Sequence, residues 1–420
     1  MRQQFFKIDD KIMACSEKAI QKTKEPFKRI ESISEYNQLK VLSAFIENGV
    51  SESHFVETTG YGYGDRGRDV LDRVCAQAFG AEDALVRHSF ASGTHTIAVA
   101  LYGLLRPNDT MLCVTGTPYD TIQPVIGIKG EGQGSLKDFG VNYKEVALNS
   151  EGKPDHDAIL DALTDDVRMV YLQRSRGYTL RPSFSAQEIG EVARLVKANS
   201  KAIVVVDNCY GEFVQTKEPT DFGADIIIGS LTKNPGGGIA KTGGYIAGKA
   251  NLIELCSYRL TTPGLGRDVG ASLGQNRSLF MGLFHAPHVT GEAVKAAVFA
   301  AALFEEFGFK VAPESQEERY DIVQSFFLQK PEALIAFCQG MQCGAPIDSF
   351  VTPEPWDMPG YENKVIMAAG AFTMGASIEL SADAPLKPPY VAWMQGGLNF
   401  HSAKMGILLA AQAMLEKGQL

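Results

Sequence analysis

The run Gly229-Ser230-Leu231-Thr232-Lys233-Asn234-Pro235-Gly236-Gly237-Gly238 decides how this chain is read. It follows the apolar β-type stretch Asp225-Ile226-Ile227-Ile228, so Lys233 stands just past the end of a buried strand. Burial disfavours the charged form of a lysine, which makes its amine available as a nucleophile toward an aldehyde. Ser230 and Thr232 offer hydroxyls to a phosphate, and the glycines allow a backbone to approach one closely. The competing reading is a surface lysine that opens a glycine-rich turn.

A second stretch bears on that choice. Ala202-Ile203-Val204-Val205-Val206-Asp207-Asn208 is a β-branched run of the kind buried in parallel sheets, and it ends in a carboxylate. Ligands of open α/β sheets lie at the carboxyl ends of strands. An Asp207 carboxylate there holds a pyridine nitrogen protonated, and a lysine on a nearby strand end supplies the amine. These are the two groups that pyridoxal phosphate, the common aldehyde cofactor, requires of a protein. Asp207 as a plain helix cap is the alternative.

Composition narrows the partners. The 420 residues carry a net charge of −9 and are 45% hydrophobic and 21% charged, an ordinary globular balance that speaks against nucleic acid as a main partner. No apolar run approaches the roughly 18 residues of a membrane helix, and the N-terminus lacks the apolar core of a signal peptide. Seven scattered cysteines read as reduced thiols of a cytoplasmic protein. Cys338 and Cys343, the nearest pair, have no histidine cluster beside them, so no metal site is assigned.

Three regions are expected: an N-terminal helical arm (1–60), a large domain (61–265) and a smaller α+β domain (266–420). Strand patterns at 84–87, 111–114, 141–147, 169–173, 202–207 and 225–228 alternate with helical ones, which implies βαβ units and a mostly parallel sheet. Gly243 to Gly248 reads as a final, antiparallel strand. In the last region Asp321–Phe326 and Val365–Ala368 are β-type, while 332–339 and 405–415 are helical. Ser92-Gly93-Thr94 opens a helix and offers free N–H groups and hydroxyls to an anion, or is simply a cap. Tyr119, past a strand end, either stacks on a flat ligand or belongs to the core. The loop Tyr61-Gly62-Tyr63-Gly64-Asp65-Arg66-Gly67-Arg68 presents aromatics and two guanidinium groups suited to phosphate. Arg174 and Arg176 end another strand, poised for a substrate carboxylate or for structural ion pairs.

This order of motifs resembles the fold-type-I pyridoxal-phosphate enzymes. Ser92-Gly93-Thr94, Val206-Asp207-Asn208-Cys209-Tyr210 and Ser230-Leu231-Thr232-Lys233 are similar to the cystathionine/methionine lyase group. Gln173 to Tyr178, Asn234 to Gly238 and Ile378 to Asp383 resemble its aluminium-resistance branch. The resemblance implies a large domain with a mostly parallel sheet, a smaller C-terminal α+β domain, and pyridoxal 5′-phosphate bound at Lys233. It implies Lys233 and Tyr119 as catalytic residues, with Tyr119 stacking on the ring, Asp207 at the ring nitrogen, and Ser92, Gly93, Thr94, Ser230 and Thr232 on the phosphate. A neighbouring subunit adds Tyr61 or Tyr63 with Arg66 or Arg68, so a homodimer or homotetramer follows. The implied activity is carbon–sulfur elimination, β or γ, on a cystathionine- or methionine-type amino acid. The rivals are an aminotransferase or aldol-type lyase, or a silent cofactor-binding protein. The pattern departs at Glu379, which stands where the group carries a carboxylate-gripping arginine. Either Arg174 or Arg176 then takes that part, or the substrate lacks the usual amino-acid carboxylate there.

Overall fold

The computed structural model describes residues 4–358 and 363–420. The chain forms two compact units, one of residues 36–287 and one of residues 1–35 with 288–420. The helical N-terminus is thus divided between the units at Glu35, and the second boundary lies at Pro287.

The larger unit is built on seven strands: β1 (Asp83–Arg87), β2 (Thr110–Cys113), β3 (Asn142–Glu145), β4 (Val167–Gln173), β5 (Ile203–Asp207), β6 (Ile226–Ser230) and β7 (Gly244–Gly248). They lie in the order β1-β7-β6-β5-β4-β2-β3, and β7 alone runs against its neighbours β1 and β6. This is the mostly parallel sheet, with its reversed final strand, that the sequence leads one to expect. Helices α3 (Arg66–Ala78), α4 (Gly93–Leu104), α6 (His156–Ala162), α7 (Ala186–Asn199) and α8 (Ala250–Leu260) connect and cover it. The short α5 is Gln123–Ile126, while α2 (Lys24–Glu47) and α9 (Asn276–Glu306) run through the unit boundaries.

Successive side chains of a strand point to opposite faces, which explains how the β-branched runs are used. Val204, Val206 and Ile227 pack with Val74 of α3 and Val192 and Val196 of α7. Ile203, Val205, Ile226 and Ile228 pack on the other face with Ile97 and Leu101 of α4 and Ile253 of α8. Because both faces are covered, these strands are apolar throughout instead of alternating.

The smaller unit carries an antiparallel sheet in the order β10-β11-β12-β9-β8. Its strands are β8 (Lys310–Ala312), β9 (Gln324–Phe327), β10 (Val365–Ala368), β11 (Ser381–Pro385) and β12 (Val391–Gln395). Helices α1 (Asp10–Lys22), α10 (Pro331–Cys343) and α11 (Phe400–Glu416) share its core, around Phe304, Phe326 and Phe337. The strand expected from Asp321 begins at Gln324, and β8, β11 and β12 were not foreseen.

Candidate active site

Strands β4, β5 and β6 are parallel neighbours, and their carboxyl ends gather the candidate residues. Asp207 is the last residue of β5, opposite Gln173 in β4 and Ile228 in β6. Lys233 follows the end of β6 by three residues. The intervening turn is tight: Lys233 N donates to Ser230 O, and the Ser230 and Thr232 hydroxyls lie 2.9 Å apart. The amino end of α4 comes to the same place. Ser92 caps that helix by accepting from His95 N, and a Cβ on Gly93 would sit 3.3 Å from Ser230 Cβ and 3.8 Å from Cys209 Sγ. The structure therefore brings Ser92, Gly93, Ser230 and Thr232 together, next to the Asp207–Lys233 pair.

The glycines after Lys233 have a different cause from the one the sequence suggests. A Cβ on Gly236 would lie 1.7 Å from Leu231 O, and one on Gly237 would lie 2.4 Å from Gly282 O. Both glycines let the loop close on the protein itself.

Lys233 also departs from expectation. Burial pulls its ammonium down, but the acidic groups around it, the Asp207 and Glu212 carboxyls among them, push it up further, so the net displacement is upward. The ammonium stands over the Tyr210 ring, 4.1 Å from the centroid. Burial raises Asp207, opposed by Lys233 and by the Cys209 N–H, which donates to Oδ1 at 3.1 Å.

Tyr119 is half-buried, its N–H donating to Gln173 Oε1 at 2.8 Å and its ring tilted against Tyr178 with centroids 5.9 Å apart. Gly177 has φ +56 and leaves the space a side chain would take beside the Tyr119 ring. Thr94 shares a 2.7 Å hydrogen bond with Thr121, which joins α4 to the Tyr119 loop.

Two of the candidate arginines are held inside the protein. Arg174 is fully buried and is bound to Glu218 at 3.1 Å, Asn208 Oδ1 at 2.8 Å, Gln215 Oε1 at 2.9 Å and Phe184 O at 3.3 Å. It is a buried cation held by groups of the protein itself. Arg68 is also buried, and it donates from Nη1 to Gly62 O and Gly270 O, both at 3.0 Å, and pairs with Asp69. These bonds fasten the glycine-rich loop. Arg66 at the start of α3 is exposed, as are Tyr61 and Tyr63, whose rings stack 5.7 Å apart. Arg176 is buried.

In the smaller unit, Glu379 is 3% exposed and its two oxygens accept from Phe372 N at 2.8 Å and Thr373 N at 2.9 Å. Its charge is spent on a backbone turn.

Sequence reasoning missed Tyr210, Glu212, Asn234 and Tyr245. Asn234 Nδ2 donates to Tyr210 O and Glu212 O, both at 3.0 Å, which ties the Lys233 loop to the loop after β5. The available signal was position alone: Asn234 adjoins Lys233, and Tyr210 and Glu212 closely follow Asp207.

A lysine and an aspartate on adjacent strand ends, beside a hydroxyl-lined helix terminus, stand on the α/β architecture of the fold-type-I class. The chain belongs to the methionine gamma-lyase family, whose model matches residues 12–415, and within it to the aluminium-resistance branch. It is 51% identical over 392 residues, 93% of each chain, to the uncharacterized protein YnbB of Bacillus subtilis (strain 168). It matches the crystal structure of a carbon–sulfur lyase involved in aluminum resistance from Clostridium novyi NT with a TM-score of 0.94 and 51% identity over 96% of each chain. The pyridoxal-5′-phosphate-dependent protein YhfS from Escherichia coli shares the fold, with a TM-score of 0.61 and 16% identity over 92% of this chain and 97% of that one.

Proposed function

We propose that this chain is a pyridoxal-phosphate-dependent carbon–sulfur lyase that carries out β- or γ-elimination on a sulfur amino acid of the cystathionine or methionine type. The observation that carries the reading is the juxtaposition of Asp207 and Lys233 at the ends of β5 and β6, next to the amino end of α4.

The residues present fit the cofactor. Ser92, Gly93 and Thr94 at the helix start, with the Ser230 and Thr232 hydroxyls, suit its phosphate. Asp207 suits the ring nitrogen, and Lys233 suits the aldehyde. Pyridoxal phosphate, when bound, supplies that aldehyde and a ring that stores an electron pair. Engaging Asp207 with a ring nitrogen removes one anion from the surroundings of Lys233, which then releases its proton more readily. The free Lys233 amine takes the proton from the substrate α-carbon and returns it later, while the leaving thiol departs from the β- or γ-carbon. Tyr119 would stack on the ring. Arg176, buried just past the end of β4, is assigned to a substrate carboxylate.

The exposed Tyr61, Tyr63 and Arg66 serve the site of a second copy in a homodimer or homotetramer, and the protein works in the cytoplasm. Among the described residues no helix is long and apolar enough to cross a membrane.

The test is incubation of the cofactor-loaded protein with cystathionine and with methionine. The reading expects a keto acid, ammonia and a thiol. Release of the amino group only when a keto acid is added would transfer the assignment to an aminotransferase.

A further inference from the structure

Glu212 is a fully buried carboxyl on the loop after β5, near enough to Lys233 for the two charges to act on each other. The loop after β5 turns inward there, with Tyr210 at φ +71 and Phe213 at φ +62 on either side of it. Oε1 accepts the Tyr245 hydroxyl at 2.9 Å, while Oε2 is buried with no hydrogen-bond partner among the described residues. The carboxyl presses against the end of β6, where a Cβ on Gly229 would lie 2.3 Å from Oε1. Its backbone oxygen is held by Asn234, the residue next to Lys233.

Every element packed around it contributes a titratable group. Tyr245 comes from β7, Cys75 from α3, Cys209 from the same loop, Lys233 from the end of β6, and Glu218 from the segment after the loop. Burial pushes the Tyr245 hydroxyl and the Cys75 and Cys209 thiols well up, so these three stay neutral through neutral pH. Glu218 is bound to Arg174 at 3.1 Å. Among these groups Lys233 is the cation. A carboxyl with an orphan oxygen and a single donor is most stable carrying its own proton.

We infer that Glu212 is a positioning residue for Lys233: protonated, it leaves the lysine facing Asp207 alone, and ionised, it adds a second anion that fixes the proton on the amine and slows attachment of the aldehyde. This deepens the proposed function and rests on it. Burial, with repulsion from Glu218, pushes the carboxyl up to about 8 against the opposing hydrogen bonds and Lys233, which puts the change within working pH.

The experiment uses the full chain purified free of cofactor and mixed with pyridoxal phosphate between pH 6.5 and 9.5. The rate of bond formation is followed by absorbance, and the bond is trapped with borohydride and located by peptide mass mapping. The rate should climb with pH as the amine is freed, with a break near pH 8 in the wild-type protein and none in Glu212→Gln. The ratio of the variant's rate to the wild-type rate should grow at least about threefold across that range. Tyr245→Phe removes the donor to Oε1, disfavours the carboxylate, and should move the break to higher pH, so the inference stays testable if one variant folds poorly. A constant ratio and an unmoved break, with Lys233 labelled, would overturn the role of Glu212 and leave the enzyme assignment standing. No label at Lys233 in any of the proteins would overturn both.

Discussion

Arg174 and Glu218 form a 3.1 Å ion pair from which water is wholly excluded, both side chains being 0% exposed. The pair is satisfied on every side. Glu218 also accepts from Asn208 Nδ2 at 3.0 Å and from Phe213 N at 2.9 Å. Removing one partner of such a pair strands a buried charge. Arg174→Ala is therefore expected to cost about 3–5 kcal/mol of stability, read as a lower urea midpoint of the apoprotein. A substrate-gripping arginine would behave otherwise, with KM rising and stability unmoved.

This pair also shows where sequence reading stops. The parallel strands were legible because burial on both faces demands unbroken runs such as Ile203 to Val206. Asp207 and Lys233 were legible because a strand end is where such a sheet binds ligands. Arg174 sits at a strand end too, but Glu218 lies 44 residues away and reaches it only through the turn after β5. Nothing local separates a poised arginine from a satisfied one. In the smaller unit, β11 reads Ser-Ala-Asp-Ala-Pro and β12 carries Val391-Ala392-Trp393-Met394-Gln395. Small and polar residues inside β11 hide the usual alternation, and antiparallel pairing with β10 and β12 makes it a strand.

The two arginines of the glycine-rich loop should part in the same way. Arg68 binds two carbonyls from within the protein, so Arg68→Ala is expected to lose about 1–3 kcal/mol of stability. Exposed Arg66 has no such duty, and Arg66→Ala should change stability by no more than about 0.5 kcal/mol. If Arg66 completes a neighbour's phosphate site, that variant weakens cofactor affinity, measurable by titration with pyridoxal phosphate. Unchanged affinity would remove Arg66 from the site.

Lys233 and Asp207 act on each other, and this is testable without turnover. Asp207 pushes the lysine up, against burial. In Asp207→Asn the carboxylate is gone and burial counts for more, so Lys233 of the apoprotein should react faster with an amine-directed acylating reagent at neutral pH. An unchanged rate would mean that Asp207 does not govern the amine. Lys233→Ala should abolish borohydride labelling of this position and reduce keto-acid formation on the order of 10³-fold.

Glu212 leaves a mark on stability as well. Its carboxyl titrates near the ordinary 4.5 when unfolded and is pushed up to about 8 when folded, so the folded chain binds the extra proton between those values. Stability from this group is fully present below about pH 4.5 and is lost as pH rises through about 8. Each unit of such displacement corresponds to about 1.4 kcal/mol, so the loss amounts to several kcal/mol at most. Glu212→Gln has no proton to lose and keeps an acceptor for the Tyr245 hydroxyl. Urea midpoints of the apoproteins should therefore diverge in favour of the variant from pH 5 to pH 8 and run parallel above pH 9. A difference that stays flat from pH 5 to pH 9 would show a carboxyl already ionised in the folded chain, and the buried oxygen of Glu212 would then need another cation to answer it.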